Sequence, residues 1–228
     1  MIRDLFSLRE YEIFKTLNEL HDCAFVIVGG YAVNAYALPR FSVDCDIVIS
    51  DENEIKKIEK ILFRLGYKQE HQDVQDAERF GRYEKKIDNH LTVSMDILVK
   101  SVTDRMTGVI FSADWIFENS KVGILNGKTI REELKLRIIT IDALLVMKII
   151  SCRPTDMRDV FMMLPNAHDK EWITSEISSR YSFSDRLSKI LEKVNSRQFK
   201  DGLSGVYGRF DEKIFEKHKK ALLSLHNK

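Results

Sequence analysis

The most informative part of this chain is the stretch FVIVGGYAVNAYALPRFSVDCDIVIS, residues 25–50. An apolar run ends in Gly29-Gly30, a short helical pattern follows, and a second apolar run opens with Asp44-Cys45-Asp46. The order predicts a strand, a tight glycine turn, a helix over Tyr31 to Leu38 that Pro39 stops, and a second strand.

The second strand places two carboxylates side by side. Because side chains alternate along a strand, Asp44 and Asp46 share one face, roughly 6.6 Å apart. Neighbouring carboxylates repel each other unless a cation or a basic partner neutralises them. The pattern therefore indicates a magnesium site that faces a glycine turn, whose backbone N–H groups are open to phosphate.

A third carboxylate falls on a strand with the same division of faces. Residues 91–99 alternate between an apolar set (Leu91, Val93, Met95, Ile97 and Val99) and a more polar set that includes Asp96. Three carboxylates on the polar faces of two strands suit phosphoryl transfer, because two metal ions can stabilise both the attacking and the leaving oxygens.

Composition sets the frame for this site. A chain of 228 residues with 44% hydrophobic residues can form one large domain or two small ones. Its net charge of +1 leaves recognition to local patches. We find no cationic leader and no apolar run of about 18 residues, so no membrane span is expected. Three widely spaced cysteines predict free thiols, and with them a cytoplasmic protein.

The pattern of elements changes along the chain. An α/β (α+β) region, 1–135, is expected to hold a mixed sheet flanked by helices, and a helical region, 136–228, to follow it. Between residues 67 and 90 we expect two short strands, around Lys68–His71 and Phe80–Lys85, with loops between them. Asn126-Gly127 predicts a tight hairpin turn. Gly202, Gly205 and Gly208 predict a flexible stretch between the last helices.

The order Gly-Gly, 13 residues, Asp-x-Asp and a later lone Asp in a strand resembles the nucleotidyltransferase superfamily related to DNA polymerase beta. The stretch GGYAVNAYALPRFSVDCDIVI is more similar still to the abortive-infection (AbiEii-type) nucleotidyltransferases and their toxin relatives. The later segment LLVMKIISCRPTDMRDVFMML resembles the helical motif of that family. The resemblance covers roughly residues 24–164.

The resemblance implies a role for each matching residue. Gly29 and Gly30 would hold a nucleoside triphosphate. The carboxylates would ligate two Mg²⁺ ions, with Mn²⁺ as an alternative, and one of them would also help to deprotonate the acceptor hydroxyl. The implied metal set is Asp44, Asp46 and Asp96, with Asp96 as the helper. The implied nucleotide contacts are Arg40, Lys148 and Asp159, and Lys148 also counts among the catalytic residues.

Simpler interpretations stay open beside these roles. Lys148 lies in an apolar helix, where it needs an anionic partner or must reach solvent. Asp159 could pair with a surface arginine, and Asp156 reads as a helix-start residue. Arg79 and Arg82 could reach a phosphate or an acceptor, or could simply face solvent.

The acceptor is left open by the sequence. The toxin relatives favour RNA, such as a tRNA 3′ end, and imply a cognate antitoxin protein. A small molecule such as an aminoglycoside or a lincosamide is the alternative acceptor. A catalytically silent nucleotide-binding module is the alternative from another class.

Overall fold

The computed structural model describes residues 2–75, 78–88, 91–208 and 211–225. The chain divides into two compact units. The first unit comprises Met1–Ala35, Phe41–Val102 and Ile110–Ile139, and the second comprises Tyr36–Arg40, Thr103–Val109 and Thr140–Lys228. The division into domains 1–135 and 136–228 stays a prediction.

The first unit contains a mixed seven-stranded sheet in the order β3-β4-β5-β2-β1-β9-β8. Its strands are β1 Val26–Ile27, β2 Asp44–Ile49, β3 Lys68–Gln75, β4 Glu78–Lys86, β5 Thr92–Val99, β8 Ser120–Leu125 and β9 Leu134–Ile139. The pairs β2/β5 and β1/β9 are parallel, and the other neighbours are antiparallel. A two-stranded sheet pairs β6 Ser101–Thr103 with β7 Ile110–Ser112. The helices of the first unit are α1 Ile2–Glu19, α2 Gly29–Val33, α3 Glu52–Arg64 and α4 Ala113–Glu118.

The two central strands bury the apolar faces that the alternation predicted. On β2, Cys45 and Ile47 are fully buried, and on β5 so are Met95 and Ile97. The side chains between them carry the carboxylates, so the division into an apolar and a polar face is confirmed on both strands. This burial stabilises the sheet and leaves the opposite face for polar groups.

Four sequence predictions were wrong in extent. The helix expected over Tyr31 to Leu38 is shorter, since α2 ends at Val33. The polar stretch after residue 67 is a long antiparallel hairpin, β3 with β4, because cross-strand pairing outweighs its weak strand propensity. Residues 126–133, and not a two-residue turn at Asn126-Gly127, connect β8 to β9. Gly202 and Gly205 lie inside helix α9, because the packing of Phe199 and Leu203 outweighs the poor helix propensity of glycine.

The second unit is helical. Its helices are α5 Ile141–Ser151, α6 Pro154–Met163, α7 Lys170–Ser178, α8 Phe183–Val194, α9 Arg197–Tyr207 and α10 Glu212–Leu223, with a short 3₁₀ helix at Leu164–Asn166. Helix α5 packs against α6, α7 and α8. Pro154 occupies the first turn of α6, where its missing N–H costs nothing. Among the described residues, no helix is both long and apolar enough to cross a membrane.

Candidate active site

The carboxylates of the first unit meet at the pairing of β2 with β5. The parallel register sets Asp46 directly opposite Asp96 and Asp44 opposite Ser94. Asp96 is 4% exposed, whereas the side chain of Asp44 is 37% exposed. The three predicted metal residues therefore come together on adjacent strands, with Asp44 at the more open end.

A guanidinium from the neighbouring strand completes this cluster. Arg82 on β4 lies opposite Asp96 in the antiparallel register. Its Nε and Nη2 donate to the two carboxylate oxygens of Asp96 at 2.8 and 2.6 Å, and Nη2 lies 3.5 Å from Oδ2 of Asp44. The hydrogen bonds to Asp96 raise the pKa of Arg82 further above its ordinary value. A basic partner of Asp96 and Asp44 is therefore present in the fold.

The glycine turn lies against the same cluster. Gly29 has a φ of +62°, which side-chain-bearing residues rarely adopt. A Cβ at Gly29 would stand 2.0 Å from Oδ2 of Asp46, so glycine is also required sterically. The N–H of Val28 donates to the carbonyl oxygen of Asp46 at 3.1 Å. The Gly29-Gly30 turn and Asp46 thus form one contiguous feature.

The carboxylate oxygens of this cluster are of the kind that magnesium binds, but not all of them are open to a metal ion. Carboxylate oxygens are the ligands that Mg²⁺ prefers, and one or two of them usually suffice. Asp44 and Asp46 fit that requirement beside the open glycine turn. Both oxygens of Asp96 are engaged by Arg82, and no three His, Cys, Asp or Glu side chains of the described residues converge as a metal site. The role of all three as metal ligands stays a prediction.

The remaining predicted residues form a buried ionic network in the second unit. Arg40 donates to both oxygens of Asp159 at 2.7 and 2.6 Å. The ammonium of Lys148 lies 2.8 Å from Asp159 and 2.8 Å from Asp156. Asp159 is fully buried, and the other three side chains are nearly so. Two cations and two carboxylates balance in this network.

Mutual attraction keeps these buried groups charged. Burial lowers the pKa of Lys148, but the charges of Asp159 and Asp156 outweigh it and leave the pKa raised. Burial raises the pKa of Asp159, but Lys148 and Arg40 outweigh it and leave the pKa lowered. Lys148 has the anionic partners that its apolar helix demanded. Its contact with a nucleotide, and those of Arg40 and Asp159, stay predictions.

Two side chains do more than the sequence indicated. Arg82 reads as one of two equivalent arginines in a polar stretch, and only the β4/β5 register places it on Asp96. The side chain of Arg79 lies outside the part that the structure describes. Asp156 does lie in the first turn of α6, as predicted, and in addition binds Lys148. In the sequence, the signal for this contact was the spacing from Lys148 to Asp156, which spans the start of a helix that begins with proline.

No protein-family model and no curated protein match this sequence. Solved structures do match it. JHP933 from Helicobacter pylori superposes with a TM-score of 0.57 at 15% identity, over 97% of this chain and 91% of that protein. A candidate nucleotidyltransferase from H. pylori gives a TM-score of 0.52 at 15% identity, over 96% and 93% of the two chains.

An antibiotic-modifying enzyme has a similar fold. ANT(2″)-Ia, solved in complex with adenylyl-2″-tobramycin, gives a TM-score of 0.53 at 14% identity, over 78% of this chain and 98% of that one. At sequence identities this low, structural similarity establishes the fold. This chain has the nucleotidyltransferase fold, as the resemblance implied, and the closer similarity to the AbiEii type stays a prediction.

Proposed function

We propose that this protein is a magnesium-dependent nucleotidyltransferase that moves a nucleoside monophosphate from a triphosphate to an acceptor hydroxyl. The observation that carries the proposal is the pairing of Asp46 with Asp96 beside the Gly29 turn, within a nucleotidyltransferase fold. Carboxylates on two adjacent strands and an open glycine turn are what a polyphosphate and its metal require.

Each part of the cluster has a task in this proposal. The backbone N–H groups of Gly29 and Gly30 bind phosphate oxygens without obstruction from a Cβ. Asp44 and Asp46 would hold Mg²⁺, which when bound supplies positive charge against the charge of the phosphates. Asp96, which Arg82 holds in place, would help to deprotonate the acceptor hydroxyl. The catalytic role of Lys148 stays a prediction, and its ammonium binds two buried carboxylates.

RNA is the acceptor that we propose, such as the 3′ end of a tRNA, with a cognate antitoxin as the protein partner. The support for RNA is the similarity of the glycine-to-aspartate stretch to the AbiEii-type family. The chain as a whole carries a net charge of +1, so RNA binding must use a local surface.

The test is transfer of label from each α-labelled nucleoside triphosphate to total RNA in the presence of Mg²⁺. We expect a labelled RNA band with the wild-type chain, and its loss in Asp44→Ala and in Asp46→Ala. Asp22→Ala is the matched control, because Asp22 is an exposed aspartate whose side chain is 90% accessible. Full transfer by either site variant, with folding verified by thermal unfolding, would refute the proposal.

A small-molecule acceptor is the second candidate. It is favoured by the likeness to ANT(2″)-Ia, whose fold matches this chain over 98% of its own length. Adding tobramycin to the same assay separates the two candidates, because the label then appears on the antibiotic and not on RNA. Nucleotide binding without pyrophosphate release would instead indicate a catalytically silent module.

A further inference from the structure

Two aromatic rings stack beside each other, and one of them lies directly upstream of the carboxylate strand. Phe6 of α1 and Phe41, three residues before Asp44, stack with centroids 5.1 Å apart and ring planes at 20°. Both residues are half-buried, so part of each reaches solvent. The polar beginning of β2 thus starts beside a partly accessible aromatic surface.

A cation covers each ring of this pair. The guanidinium carbon of Arg9 lies 5.8 Å from the centroid of Phe6, and Nζ of Lys128 lies 5.2 Å from the centroid of Phe41. Arg9 also donates to the carbonyl oxygen of Thr92, the first residue of β5, at 3.4 Å. Among the described residues, Arg9 forms no ion pair with a carboxylate. We call Phe6, Arg9, Phe41 and Lys128 the aromatic platform.

A buried carboxylate holds the Lys128 segment in this position. Glu10, which is 1% exposed, accepts hydrogen bonds from the backbone N–H of Lys128 at 2.6 Å and of Thr129 at 2.8 Å, and from the Thr129 hydroxyl at 2.6 Å. Glu10 lies one helical turn after Phe6 on α1. The segment after β8 is therefore fixed to the helix that carries the platform, while the Lys128 side chain remains exposed.

We propose that the aromatic platform binds an unpaired nucleobase and its phosphate, supplied by a single-stranded stretch of the acceptor RNA. This inference rests on the proposed function and gives that reaction its acceptor subsite. Stacking of a base on an aromatic ring is worth more than an exposed cation–π contact, so a base displaces the ammonium of Lys128 from Phe41. The ammonium then meets the phosphate of the same nucleotide.

The same chemistry could come from the nucleoside triphosphate. The platform holds two rings and two cations, which suits a strand that brings several bases and phosphates. A triphosphate brings one base, and its phosphates belong at the Gly29-Gly30 turn. We therefore assign the platform to the RNA.

The experiment measures binding of a fluorescein-labelled ten-nucleotide oligouridine to the full chain by fluorescence anisotropy, at several salt concentrations. Phe41→Leu is expected to weaken binding about five- to tenfold, because it removes the stacking surface and keeps the apolar volume. Lys128→Gln is expected to weaken binding and to reduce the slope of log K against log salt by about 0.7, the value for one phosphate contact on a single strand. Lys128→Gln leaves the Glu10 anchor intact, because that anchor uses backbone N–H groups.

Matched controls lie elsewhere on the first unit. Phe63→Leu changes an exposed aromatic residue of α3, and Lys121→Gln an exposed lysine of β8; both should bind RNA within about twofold of wild type. Phe41→Tyr keeps the ring and should retain affinity, which separates stacking from folding. Wild-type affinity in both platform variants, or an equal loss in the controls, overturns the inference.

A second arm distinguishes the two sources of the base. Binding of a fluorescent ATP analogue should be unchanged by Phe41→Leu, and a loss of ATP affinity without a loss of RNA affinity overturns the assignment to RNA. The failure of this inference also differs from that of the proposed function. RNA binding by the platform does not require Asp44, whereas label transfer does.

Discussion

At the scale of single residues, Arg82 is the cation that neutralises charge in the carboxylate cluster. Asp96 is 4% exposed, and both of its oxygens are bound by this one guanidinium. Leaving a buried carboxylate without its cation costs far more free energy than an exposed ion pair contributes to stability. A divalent ion at Asp44 and Asp46 would offer the cluster a second source of positive charge.

Removal of that guanidinium is expected to destabilise the protein in a way that magnesium corrects. Arg82→Gln should lower the free energy of unfolding by about 1–3 kcal/mol in EDTA, because the buried Asp96 carboxylate loses the guanidinium that binds both of its oxygens. Mg²⁺ should raise the melting temperature of this variant by more than it raises that of the wild type. Thermal unfolding in EDTA and in Mg²⁺ measures both effects.

The control for this prediction is Arg64→Gln, which breaks an exposed pair with Glu19 at 2.6 Å. Its effect should stay within about 0.5 kcal/mol and should not depend on Mg²⁺. Equal behaviour of the two variants would show that Arg82 has no special role in the cluster.

At the scale of elements, helices α5 and α6 are joined by charge as well as by apolar contact. Lys148 of α5 binds Asp156 and Asp159 of α6, and Arg40 closes the network on Asp159. Breaking one member leaves an unpaired charge in a buried site, which is the costly case for an ion pair. The network therefore fixes how α5 and α6 pack.

We expect Lys148→Met to lower the free energy of unfolding by about 3–5 kcal/mol, although methionine fills the same space. Urea denaturation at neutral pH measures this loss. Lys189→Met is the control, because it removes an exposed lysine from an i,i+4 pair with Asp185 and should cost about 0.5 kcal/mol or less. A similar small effect in Lys148→Met would contradict a structural role for the network and favour a contact with the nucleotide.

The pH dependence gives this network a second readout. The pKa of Asp159 is lowered in the folded state, so its contribution to stability is present above the unfolded value of about 3.9 and is lost as the pH falls through the lower folded value. The free energy of unfolding of the wild type should therefore fall as the pH is lowered below about 4. In Asp159→Asn that part of the acid dependence should be missing, and denaturation between pH 2.5 and pH 6 would show it.

At the scale of the whole molecule, the second unit is assembled from three separate segments. Residues Tyr36–Arg40 and Thr103–Val109 belong to it together with Thr140–Lys228. Arg40 supplies the bidentate partner of Asp159, and Asp104 lies 3.4 Å from Arg153. A cut of the chain at the last strand would therefore remove charges that the helices need.

We expect the isolated fragment 140–228 to unfold at a lower denaturant concentration than the second unit of the full chain, because Asp159 loses Arg40. Adding Asp159→Leu to the fragment should recover part of that loss, since leucine needs no counter-ion. Circular dichroism in urea compares the three proteins. An unchanged midpoint in the unmodified fragment would show that residues 140–228 are stable without the two inserted segments.

The features that depend on local chemistry could be predicted from the sequence. Alternation placed Asp44, Asp46 and Asp96 opposite buried apolar side chains, and the positive φ of Gly29 follows from a turn that only glycine suits. The extents of α2 and of the hairpin after residue 67 could not be predicted from the sequence, because pairing between distant residues overrides weak local propensity.

The arginine partners of the buried carboxylates depend on the tertiary fold. That Arg82 pairs with Asp96, and that Arg40 pairs with Asp159 from 119 positions away, depends on strand register and on helix packing. A periodic pattern predicts which face of an element a side chain occupies, whereas register and packing determine which side chain lies opposite it. The carboxylates of these two clusters could be placed from the sequence, whereas Arg82 and Arg40 reach them only in the folded molecule.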